Sequence, residues 1–388
     1  MAQLRKISLL SVSLLVVSAG AIAGNIPAIA QAYPTVNETL IELLTTIPSL
    51  FIILTILISP KVAQRIGYKR TVQVGIGIVC LAGLLPVVTT SFTSLFLSRI
   101  LFGVGVGLFN PLLYTIAAGL YSGGHLATVI GLQSGFEGIG GMLITFLVGQ
   151  LLVNGWRYSF MVYALAIPIL FLFGLFVPDI RPTTSNEKEA KTRPTIDRTL
   201  IYYLILLFLA VTVYMSIAVK VTGLLYDKAI GDATDGSNLL AFIGFGAMTA
   251  GMVFGKTVRI FKEWTIPVSF LGMSIALLLL ARAPNLWIAS LAVVLCGFSF
   301  RTFVPYVFNE VNQKSQQATA QTALLLIFFN IGTAATPLTI AYLQHLFPFL
   351  HQSGLFYGGA VLMLVLGGGV VVVGKVGFMM RMNDSRKR

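Results

Sequence analysis

Charge is what this 388-residue chain has little of: 10% of its residues are Asp, Glu, Lys or Arg, against about 25% in a soluble domain. That scarcity excludes a soluble enzyme and a disordered chain, both of which need a charged, hydrated surface. Cysteine is scarcer still. Cys80 and Cys296 each fall inside a long apolar run, which excludes a secreted disulfide scaffold and leaves no metal-ligand spacing. The three histidines, His125, His345 and His351, lie near the ends of apolar runs without ligand partners. Long polar stretches are also missing, apart from residues 179–198, so a sizeable soluble domain has no room.

What the chain has instead is a hydrophobic fraction of 56%. Apolar runs fall at 7–32, 39–59, 71–90, 93–121, 126–153 and 157–178, and again at 199–226, 237–255, 265–281, 285–308, 317–346 and 353–375. Each suits the ~20 residues that cross ~30 Å of hydrocarbon as a helix. The first run follows Arg5 and Lys6 and contains Ala28-Ile29-Ala30, so it mimics a secretory leader. It is long for a leader core and further spans follow, which makes it the first span. The expectation is an all-α membrane protein of twelve transmembrane helices in two pseudo-symmetric six-helix bundles, residues 1–178 and 199–388, joined by a cytoplasmic linker at 179–198.

The net charge of +13 comes from 26 basic and 13 acidic residues. With the N-terminus inside, the positive-inside rule assigns 20 basic residues to the cytoplasmic side, and Arg157, Lys228 and Arg282 to the other. An odd span number would misplace the C-terminal cluster. Both termini are therefore expected in the cytoplasm of a multi-pass plasma-membrane protein, and the positive charge reports topology rather than nucleic-acid binding. Ala127-Thr128 and Ala318-Thr319, opening spans 5 and 11, and Arg99 and Arg301, in spans 4 and 10, form a weak internal repeat. Paired halves with a site between them are the plan of secondary transporters.

Several motifs then fall in order. Pro60-Lys61-Val62-Ala63-Gln64-Arg65-Ile66-Gly67-Tyr68-Lys69-Arg70 joins spans 2 and 3. Arg99-x-x-x-Gly103-x-Gly105 lies in span 4, Gly131, Gly135, Gly138, Gly140 and Gly141 in span 5, and Gly155-Trp156-Arg157-x-x-Phe160 opens span 6. Over essentially the whole length the chain resembles the major facilitator superfamily. The resemblance implies a conformational-switch loop at Arg65, Gly67, Lys69 and Arg70, with Pro60 and Gln64 in place of the family's Gly and Asp. It also links the Arg99 motif to proton transfer, and implies a central cavity lined by spans 1, 4, 7 and 10. Phe136 stands where the family's antiporters carry Pro.

Ionisable groups inside spans are costly and mark candidate sites. Glu137 lies 11 residues beyond Leu126, hence ~16 Å along the helix and close to the midplane. It is the candidate proton carrier, with Arg99 as its partner; the alternatives are a structural carboxyl and a carbonyl-bonded arginine. Arg301, Lys220, Asn25, Asn110 and Tyr306 are the candidate substrate contacts. Three cations against one deep acid imply an electropositive cavity and an anionic cargo. Lys220 could instead snorkel or pair with Asp227.

Ala250 to Thr257 nearly matches a phosphate-binding loop but ends a membrane helix and lacks the first Gly, so ATP hydrolysis is not expected. No nucleophile–base pair argues for an enzyme, and no cofactor is expected. The sequence thus describes a transporter, working as a monomer in the lipid bilayer on a small or amphipathic organic substrate with protons as coupling ion. A broad-specificity drug/proton antiporter (efflux pump) stays open beside it.

Overall fold

The computed structural model describes residues 2–121, 123–179, 197–314, 318–347 and 351–386, and contains no strand among them. The first span is broken: α1 (Ala2–Ser13) leads through a 3-10 segment (Ser18–Asn25) into α2 (Ile26–Ala32), with a bend of 44°. Then follow α3 (Glu38–Ile66), α4 (Tyr68–Val88), α5 (Phe92–Leu120), α6 (Gly123–Leu152) and α7 (Ala166–Phe176), the last extended by a 3-10 segment at Tyr158–Leu165. The second half holds α8 (Arg198–Asp227), α9 (Ala233–Phe261), α10 (Thr265–Arg282), α11 (Leu286–Lys314), α12 (Ala318–Leu346) and α13 (Gln352–Arg386). From α3 onward each label therefore runs one ahead of its span number.

Among the described residues ten stretches are long and apolar enough to cross a membrane, and the bent α1–α2 pair makes an eleventh. One of the ten, Ala233–Arg282, is 50 residues long and comprises α9 and α10 joined by the turn Lys262–Trp264. Twelve crossing elements result. The fold is all-α, in two six-helix bundles. One apolar core is drawn from Leu9 to Val177 and a second from Leu200 to Met363. The linker expected at 179–198 falls almost wholly outside the described residues.

Local chemistry sets the helix ends. Asn37 caps α3 by accepting from the Thr39 amide at 2.8 Å, and Asp197 caps α8 through the Leu200 amide at 2.8 Å. Asp232 and Asp235 form a reciprocal capping box at α9. Between α3 and α4 the connection is one residue, Gly67, with φ +90°. A side chain there would be strained, so the residues of the expected switch loop form a one-residue turn between two helices that run past the apolar stretch.

Glycine also sets how closely helices approach. A Cβ at Gly103 of α5 would strike the Pro48 backbone of α3, and one at Gly297 of α11 would strike the Ile243 backbone of α9. The second and fourth spans of each half thus meet backbone to backbone, as close packing in membranes requires. Gly103→Leu is expected to lower stability by about 1–3 kcal/mol through overpacking. Gly77→Leu, at a position that meets nothing within 4 Å, should leave the melting temperature of the detergent-purified protein unchanged.

The break in the first span frees backbone carbonyls, and a bilayer offers no water to satisfy them. Two side chains take them. Arg99 of α5, 0% exposed, donates to the carbonyls of Ala19 and, at 3.2 Å, of Leu44. The Tyr163 hydroxyl donates to the Ser18 carbonyl at 3.0 Å. The Arg99 guanidinium also lies over the ring of Phe102, 4.7 Å from its centroid. One arginine therefore ties together spans 1, 2 and 4.

Candidate functional site

A cavity of about 290 Å³ lies between the two bundles, walled by the 3-10 part of the first span, α3 and α6 on one side and by α8, α9, α11 and α12 on the other. Glu137 projects into it from α6, accepting a hydrogen bond of 3.2 Å from the Tyr114 hydroxyl. From the opposite wall α11 presents Arg301. The two are too far apart to form an ion pair, yet Arg301 is the cation that acts on Glu137 through space. Beside Arg301, Phe300 stacks on Tyr214 of α8 with ring centroids 3.8 Å apart and planes 8° from parallel. Phe329, Asn330 and Thr333 of α12 complete that wall.

At the end of the bundle that carries the turns 33–37 and 228–232, the halves close on one another. Lys220 of α8, 3% exposed, pairs with Glu42 of α3 and reaches Glu38 at 3.2 Å. Gln150 of α6 donates to Asn238 of α9 at 3.3 Å. The bare backbones of Gly24 and Gly149 make room for Ser237. Gly138, on the cavity wall next to Glu137, has open space before it.

Several expected site residues are placed elsewhere by this geometry. Arg99 is engaged by carbonyls and is not brought to Glu137. Asn25 is fully buried against Ser159, inside the first core, and is not part of the cavity wall. Asn110 is half-buried on α5 and likewise does not line the cavity. Tyr306 sits in the second core beside Glu310. Lys220 neither snorkels nor pairs with Asp227; its acids come from the other half of the chain. The expectation of three cations around one deep acid is thereby corrected. Among the described residues one cation, Arg301, lines the cavity, and a second buried acid, Glu42, holds Lys220.

Arg65 closes the last turn of α3, where a cation suits the helix dipole. Lys69 and Arg70 open α4, where cations oppose it. Helix stability therefore does not account for that pair.

Sequence reasoning missed Glu42, Asn330 and Thr333. Glu42 carried a signal, being an acid four residues into an apolar run; Asn330 and Thr333 carried none beyond polarity. Among the described residues no cluster of His, Cys, Asp and Glu could hold a metal ion.

A cavity between two six-helix bundles, closed at one end, fits a membrane transporter rather than an enzyme. The chain belongs to the Major Facilitator Superfamily, whose family model matches residues 8–337. No curated protein matches the sequence. Among solved structures it is similar to a POT family transporter in complex with 5-aminolevulinic acid, at 14% identity and TM-score 0.73, covering 96% of both chains. It is also similar to the human organic anion transporter MFSD10 (TETRAN), at 16% identity and TM-score 0.64, covering 94% of this chain and 99% of that one. A D-xylose-proton symporter follows at 16% identity and TM-score 0.67, covering 92% and 95%. Likeness at this identity shows the fold.

Proposed function

We propose that this chain is a proton-coupled secondary transporter for a small organic substrate with an anionic group, working by alternating access as a plasma-membrane monomer with both termini in the cytoplasm. One observation carries the reading: a carboxylate from one bundle and a guanidinium from the other line the same cavity without forming an ion pair. Charges sunk in a bilayer are costly and serve ions or cargo. In this reading residues 1–178 and 199–388 rock about the cavity, and Arg301 binds the anionic group. Glu137, with Tyr114 and Arg301 as its titratable and charged neighbours, carries the proton. The Lys220 contacts close the outer end, which supports an inward-facing conformer. Lys69, Arg70 and the other inner cations fix the orientation. The spread of cargoes named for the similar structures, an amino acid derivative, organic anions and a sugar with protons, fits a common scaffold whose walls choose the substrate.

A drug/proton antiporter is the second reading, favoured by a cavity that Glu137 shares with the stacked Tyr214 and Phe300. Proteoliposome uptake under an imposed pH gradient, screened over organic anions and lipophilic cations, separates the two. Glu137→Gln is expected to abolish gradient-driven accumulation while exchange of substrate across the membrane persists. Accumulation at the wild-type level in that variant would falsify the coupling role.

A further inference from the structure

We infer that the cargo is a small zwitterion, its anionic group on Arg301 and its cationic group on Glu137. This rests on the transport reading above and names the substrate class of the same cavity.

The charge balance of the walls carries the inference. Among the described residues that line the cavity, Glu137 and Arg301 are the charged ones. Two cations that would have made it electropositive are engaged elsewhere, Arg99 by the carbonyls of Ala19 and Leu44, and Lys220 by Glu38 and Glu42. Among the described residues Arg301 makes no hydrogen bond or ion pair, and Glu137 has the Tyr114 hydroxyl alone. Two opposite charges thus face one another across a gap that neither bridges.

A buried charge is tolerated when it is paired and fully hydrogen-bonded. A monoanion on Arg301 would place a like charge before Glu137. A monocation on Glu137 would do the same to Arg301. A ligand that carries both signs satisfies both walls at once, and its net charge of zero matches that of the cavity. The stacked Tyr214 and Phe300 give an apolar face to the body between the charges. A volume of about 290 Å³ lies at the low end of small-molecule sites, which keeps that body short. Because α6 belongs to one bundle and α11 to the other, the bound zwitterion also joins the two halves.

The test uses three probes that share one body: phenylalanine (zwitterion), 3-phenylpropanoate (anion) and 2-phenylethylamine (cation). A shorter set, 4-aminobutanoate, butanoate and butylamine, covers a smaller body. Binding to the purified full chain is read by thermal shift, and transport by uptake into proteoliposomes. In at least one set the zwitterion should bind tenfold or more tightly than either singly charged partner. Glu137→Gln should bring zwitterion affinity down to that of the anion, whose own affinity is kept or rises because the like charge is gone. Arg301→Gln should bring it down to that of the amine, whose own affinity is kept or rises. The affinity each variant retains shows that it has folded.

An anion or cation that binds as tightly as the zwitterion in both sets overturns the inference, as does a failure of every probe to bind. Gradient-driven accumulation of the anion alone removes the zwitterion and leaves the transport reading standing. Zwitterion binding with the expected variant pattern, but without gradient-driven accumulation, does the reverse.

Discussion

Lys220→Ala is expected to open the closed end of the bundle. In the wild type Lys220 is buried between α8 and α3, where it meets Glu42, itself buried, and Glu38, whose side chain is 69% exposed. The exposed partner contributes little, since water competes for it. The buried pair is different. Removing one member leaves the other as an uncompensated charge in an apolar interface, at a cost of about 3–5 kcal/mol. Water that enters beside Glu38 relieves part of this, so about 3 kcal/mol against the closed conformer is expected, a shift of roughly a hundredfold. Ser237→Cys provides the reporter, because Ser237 is 0% exposed at the closed end and both native cysteines are buried. Reaction with a membrane-impermeant maleimide should accelerate by that factor in Lys220→Ala. Lys220→Met combined with Glu42→Gln removes both charges and should bring the rate back towards wild type. A rate in Lys220→Ala equal to wild type would show that the pair does not hold the end shut.

The second large effect belongs to Arg99. Its guanidinium gives charge-assisted hydrogen bonds to two backbone carbonyls and rests on Phe102. Hydrogen bonds to charged groups contribute about 1.5–3 kcal/mol each, and the carbonyls left behind in Arg99→Ala would find no water. A melting temperature roughly 5–10 °C below wild type is expected in detergent. Arg99→Lys should recover only part of this, because a single ammonium lacks the fork that reaches two acceptors. The pH dependence of uptake decides between roles. A structural tie predicts less folded protein with an unshifted profile, whereas a partner of Glu137 would shift it.

The span pattern was legible from the sequence because a bilayer imposes one length and one polarity on every crossing. Glu137 and Arg301 were legible for the same reason, as charges where hydrocarbon forbids them. The pairing of Lys220 was not. Its acids lie 178 and 182 residues away in sequence, and Glu42 was passed over although it falls within an apolar run. Arg99 was read as a partner for a carboxylate because its true acceptors are carbonyls, one in the broken first span at Ala19 and one in α3 at Leu44, four residues before Pro48. Small residues such as Ser18, Gly20 and Gly24 permit that break without marking its position. Asn25 looked like a site residue for the same reason that it is a good core residue: its amide satisfies Ser159 where no water can reach.

The broken first span also bears on the order of assembly. Its acceptors at Ser18 and Ala19 are exposed as soon as the segment enters the lipid, but Arg99 is still some 80 residues from being synthesised and Tyr163 further still. At ~5–20 residues per second that wait lasts roughly 4–16 s. During it the nascent segment must stay regular, sheltered by the insertion machinery or hydrated at the surface. The kink is therefore a late event, tied down when α5, the fourth span, arrives.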